Sequence, residues 1–123
     1  MSRRHGKDAD QGAAAVELAL VLPILILLIG GVIDFGLAFN AQIGLTHAAR
    51  EGARVEAIGT GDAKTAAESA YVQLATGPPL AVVVDSCPGS DSALVQVTAA
   101  YQAVFFPPLS RSLSSEAVMR CNG

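Results

Sequence analysis

The chain has 123 residues, 51% of them apolar and 15% charged, which leaves room for one compact domain beside a membrane segment and excludes two domains. A formal net charge of −3, a pI near 5.2 and the lack of any basic run argue against nucleic acid as a partner.

In chain order, a short leader carrying Arg3, Arg4 and Lys7 comes first, and a long apolar stretch follows. Between Glu17 and Asp34 the run LALVLPILILLIGGVI carries no charge and reaches about 24 Å as a helix at roughly 1.5 Å per residue. With AAAV before it and FGLAF after it, a membrane span over about residues 18–39 is expected. Basic residues precede the span, and the first one after it is Arg50. The excess of positive charge therefore places the N-terminus in the cytoplasm and the residues beyond about 40 outside. A cleaved secretory signal is the rival reading, with Gly36-Leu37-Ala38 as its processing site. Asp34 and Phe35 just before that site, and the length of the run, count against it. Pro23 inside the run removes one backbone hydrogen bond and is expected to kink or loosen the helix.

The helical period continues to about Ile58. At 100° per residue, Ala41, Gly44, Leu45, Ala48, Gly52 and Val55 share one side, and His47, Arg50, Glu51 and Arg54 share the other. Gly44, Ala48 and Gly52 recur every four residues, a spacing that lets another backbone approach closely. The approaching partner is either the chain's own C-terminal domain or a neighbouring helix of an assembly. Gly59-Thr60-Gly61 ends the helix, and Asp62 is a good N-cap for a second one reaching about Ala75, stopped by Thr76-Gly77-Pro78-Pro79.

Thereafter the period changes to two. Leu80 to Val84 is a β-branched run. Val95, Val97, Ala99, Tyr101, Ala103 and Phe105 alternate with polar residues in a half-buried strand, and a third strand, about Ser114 to Arg120, follows the Pro107-Pro108 turn. The fold class is therefore α+β: a long N-terminal helix, a second helix and a small antiparallel sheet of about three strands. Cys87 and Cys121 both fall in the exported half, outside any CxxC or Cys/His cluster, and are expected to form a disulfide. In a strict meander the outer strands lie roughly 9.5 Å apart, too far for a bridge between them. Cys87 must then sit in a loop crossing the sheet end, or the strand order must differ.

The head of the apolar helix reads GAAAVE, and a Glu so early in a membrane segment needs a reason. If the chain were cut after Gly12, Ala13 would carry a new ammonium one helical turn from Glu17, and the carboxylate could pair with it or with that of an adjacent subunit. A Glu reaching for the lipid headgroups is the plainer alternative.

Several separated features now agree. Gly12, Glu17, Leu22-Pro23, Asp34-Phe35-Gly36 and the AAREGAR stretch from Ala48 to Arg54 make residues 12–54 resemble the N-terminal signature of TadE-like proteins, pseudopilins of the tight-adherence (Flp type IVb pilus) systems. Leu18 stands where this class often has an aromatic residue. The resemblance implies a prepilin peptidase that cuts after Gly12 and a minor or accessory role among other pilins, pseudopilins and the pilus assembly platform. With a cut after Gly12, the helical period to Ile58 and the strand pattern beyond it, the expected domain order is leader (1–12), long helix (13–58) and extracytoplasmic α+β domain (59–123). No nucleophile motif or metal spacing accompanies His5 or His47, so no catalytic site, cofactor or metal is expected. The alternative function is an unprocessed, membrane-anchored extracytoplasmic binding module.

Overall fold

A computed structural model describes residues 5–71, 80–87 and 91–121. Arg3 and Arg4, and the Thr76 to Pro79 stop expected after the second helix, lie outside these.

One helix, α1, runs unbroken from His5 to Ile58, straight through Pro23. It stops where the sequence requires a residue free to turn left-handed: Gly59 has φ of 70°. Its N–H and that of Thr60 return to the carbonyls of Glu56 and Val55 at 3.2 and 3.3 Å, closing the helix in a Schellman turn. Asp62 then accepts the backbone N–H of Thr65 at 3.1 Å and caps α2, Ala63–Ala70. This helix ends earlier than the expected Ala75. Tyr71 is already extended, and its ring lies against α1 at Gly44.

Three strands follow as an antiparallel meander, β1 (Ala81–Asp85), β2 (Ser92–Tyr101) and β3 (Arg111–Arg120), with β2 in the centre. In the register, Val95 lies between Val84 and Ala117, and Val97 between Val82 and Ser115. These residues form the inner face. They pack on α1 together with α2, around a core of Leu45, Ala48, Ala49, Ala53, Ala63, Ala67, Val95, Val97 and Ala99. Because so many of these side chains are alanine, helix and sheet approach closely and the apolar burial is modest for a domain of this size.

The sheet lies lengthwise on the upper helix. Tyr101, at the end of β2, bonds to residue 34, and Gln42 donates to the Ser114 carbonyl on β3 at 3.0 Å. The ten residues of β2 extend about 33 Å, which is also the rise of the helix from residue 34 to about residue 56. At the far end Cys87 and Cys121 are joined, with their Cα atoms 5.7 Å apart. Cys87 lies beyond β1 in the connecting segment and Cys121 just beyond β3. The bridge therefore crosses the end of β2 without a change of strand order, the first of the two arrangements anticipated above.

Two further boundaries differ from the sequence reading. The alternation that pointed to a strand through Phe105 stops at Tyr101, and β3 begins at Arg111. Residues 102–110 form instead a loop with a short 3-10 turn, Pro107–Leu109.

Candidate functional site

That loop is held by the helix. Asp34 sits on α1 and is only 3% exposed, although it belongs to a stretch of helix whose other large side chains face outward. One carboxylate oxygen accepts the backbone N–H of Val104 at 2.8 Å, the other that of Phe106 at 2.9 Å, and the N–H of Phe105 is shared between them at 3.3 and 3.0 Å. Three successive amides thus converge on one carboxylate. The Asp34 backbone carbonyl accepts a further bond from the Tyr101 hydroxyl at 2.8 Å. Burial, and secondarily the Asp34 charge, push the Tyr101 phenol above its ordinary value, which keeps it a donor. One turn earlier on the same helix face, Gly30 leaves room for the Phe105 ring: a Cβ at residue 30 would come within 3.0 Å of it.

Nothing in the Asp34-Phe35-Gly36 stretch by itself indicates these partners, because they are backbone amides some 70 residues away. A usable signal was present on each side. Gly30 and Asp34 are spaced i, i+4, and the uncharged run Val104-Phe105-Phe106-Pro107-Pro108-Leu109 carries two prolines incompatible with a central strand.

A second surface is made by the small residues of α1. Ala48 is fully buried. A Cβ on Gly44 would meet the Tyr71 ring at 3.3 Å, and one on Gly52 would meet the Ala63 carbonyl oxygen and Val95 Cγ1, both at 3.1 Å. All three therefore face the chain's own α2 and sheet. The buried face is centred slightly differently from the expected one: Ala49, Ala53 and Ala57 are buried with them, while Val55 is half-buried. Opposite, His47, Arg50 and Arg54 are exposed, and Arg54 makes a 3.0 Å ion pair with Glu51. So exposed a pair contributes little.

Gly12, Ala13 and Glu17 lie together on exposed helix at the other end of α1, and nothing lies within 4 Å of where a Gly12 side chain would begin. Among the described residues, α1 is the one helix long and apolar enough to cross a membrane.

A family model described as TadE-like protein matches residues 12–54, from Gly12 to Arg54. The long helix carries the TadE-like signature. The match spans Glu17, Asp34 and the Gly44, Ala48 and Gly52 surface, and ends just before the Schellman turn. The TadE-like segment thus includes both the exposed head of α1 and the carboxylate that holds the β2–β3 loop, whereas α2 and the sheet lie beyond it. No curated protein and no solved structure matches the chain.

Proposed function

We propose that the protein is a minor pseudopilin, or an assembly component, of a tight-adherence type IVb pilus. In this reading α1 holds it in the cytoplasmic membrane with the α2 and sheet domain outside. Prepilin peptidase removes the leader after Gly12, and Glu17 pairs with the new Ala13 ammonium of its own or an adjacent chain. The observation that carries this reading is the TadE-like match beginning at Gly12, on a helix apolar enough to span a bilayer. Its partners are then the lipid bilayer, the peptidase, other pilins or pseudopilins and the pilus assembly platform. Its role is structural.

The outer domain uses the Gly44, Ala48 and Gly52 side of the helix for its own core. Contacts with neighbouring subunits in a pilin-like assembly therefore fall to the exposed sides of α1, away from the Gly44, Ala48 and Gly52 face. Mass spectrometry of the membrane-extracted protein tests the proposal. A mature chain beginning at Ala13, and its loss when Gly12 is replaced, supports it. An intact leader in cells with a working prepilin peptidase overturns it in favour of an unprocessed membrane-anchored module.

A further inference from the structure

The loop between β2 and β3 has the properties of a segment that meets lipid. Every backbone N–H from residue 103 to residue 110 is satisfied within the protein. Ala103 donates to Ser110 Oγ at 3.1 Å, and residues 104, 105 and 106 donate to Asp34. Pro107 and Pro108 have no N–H, and Leu109 and Ser110 donate to the carbonyls of Phe106 and Pro107 at 2.9 and 3.0 Å. A loop in water has no need of this, because water supplies the partners. In hydrocarbon no water replaces a missing partner, so each unpaired amide would be strongly unfavourable there.

The side chains agree with the backbone. Val104, Phe105 and Leu109 are 65%, 49% and 57% exposed, and residues 102–110 carry no charge. The chain's four phenylalanines are Phe35 and Phe39 on α1 and Phe105 and Phe106 in this loop, so all of them gather at one level of the molecule. That level is the end of the apolar run. A hydrocarbon layer of about 30 Å takes about 20 helical residues. With its inner edge at Asp10 the outer edge falls at Gly30, and with its inner edge at Glu17 it falls at Leu37. Phe105 touches residue 30 and its loop is bound at residue 34.

We propose that the loop of residues 103–110 inserts into the outer leaflet beside α1, as a second membrane contact of the outer domain. Asp34 makes this possible: its carboxylate closes the loop amides, and the loop amides in turn fill the hydrogen-bonding positions of both carboxylate oxygens. The proposal rests on the membrane-spanning reading of α1, and the two can fail separately.

The chain contains no tryptophan, so single-tryptophan variants report position without background. Full-length V104W, L109W, L25W and V83W proteins are reconstituted in phosphatidylcholine and phosphatidylglycerol vesicles whose acyl chains are brominated near the carbonyl end or deep in the chain. L25W marks the span, and V83W marks an exposed site on β1. Blue-shifted emission of V104W and L109W, quenched severalfold more than V83W and best by the shallow bromines, is the expected result. Quenching of L25W without quenching of V104W and L109W overturns the loop insertion while leaving the span intact. Absence of quenching in L25W, V104W and L109W alike overturns both. Blue-shifted V104W emission that bromine does not quench, and that reverts on dilution of the protein in lipid, assigns the loop to a second copy and overturns the proposal too.

Discussion

Phe105 occupies the place that a side chain on residue 30 would need: a Cβ there would lie 3.0 Å from the ring's Cγ and 3.1 Å from the Phe105 Cβ. The glycine is thus a matter of room on the helix face rather than of backbone freedom. Gly30→Leu should overpack this contact and lower the stability of the outer domain by about 1–3 kcal/mol. Adding Phe105→Ala should restore part of the loss. Thermal unfolding of the four members of this cycle in detergent micelles, with strictly additive losses, would show that the two residues do not share a site.

Asp34 is the acceptor for three amides, and a shorter or neutral side chain leaves them open. Asp34→Ala should cost on the order of 3–5 kcal/mol, since each buried donor left unpaired costs about 1–3 kcal/mol and the losses add incompletely. Asp34→Asn keeps one acceptor oxygen but turns an NH2 toward a donor, and should fall between. Hydrogen exchange at Val104, Phe105 and Phe106 is the direct readout. Protection unchanged in Asp34→Ala would contradict the assignment.

Gly52 faces a carbonyl oxygen of α2, which cannot rotate away, as well as Val95. Gly52→Leu should therefore unfold the outer domain while α1 still enters the membrane. Limited proteolysis of vesicles should show the region after residue 58 becoming cleavable in the variant and a protected helix in both proteins. A protease-resistant outer domain in Gly52→Leu would mean that this face is not packed as described.

The Cys87–Cys121 bridge closes a loop of 34 residues around a small, alanine-lined core. Its removal by Cys121→Ser should lower stability by about 2–4 kcal/mol, chiefly through the gain in freedom of the unfolded chain. Thiol labelling of the unreduced, denatured wild-type protein should modify neither cysteine. Labelling of both refutes the bridge.

Acid should loosen α2 first at its cap. Hydrogen bonds from the Thr65 hydroxyl, then from its backbone N–H, hold the Asp62 carboxyl below its ordinary value. A carboxyl lowered in the folded state stabilises above the unfolded aspartate range and stops doing so as pH falls through the lowered folded value. The amide resonance of Thr65 should move across that acid range in the wild-type protein, and Asp62→Asn, which caps without titrating, should abolish the movement. A Thr65 signal that titrates alike in both would locate the effect elsewhere.

Much of this architecture could be read along the chain because its signals are local. Gly59 needs a left-handed turn, Asp62 precedes a helix at capping distance, and the alternation around Val95 and Val97 is that of a strand covered on one face. The four-residue spacing of Gly44, Ala48 and Gly52 announced a close approach but not its partner, because small residues admit any backbone equally. Phe105 was misplaced for a related reason. Its side-chain pattern fits a strand, yet its N–H is taken by a carboxylate from the helix rather than by a neighbouring strand. The role of Asp34 was invisible for the converse reason, since its partners are main-chain groups that no residue type encodes.

The 70-residue interval between Asp34 and its first amide partner also sets an order in time. At about 5–20 residues per second, a ribosome needs roughly 4–14 s to make the chain between them. Throughout that interval the helix already exists and its carboxylate has no amides to receive. Only after the loop has been made can the amides of Val104, Phe105 and Phe106 close on that carboxylate. The knot between the helix and the β2–β3 loop is therefore tied late, when most of the chain has been made.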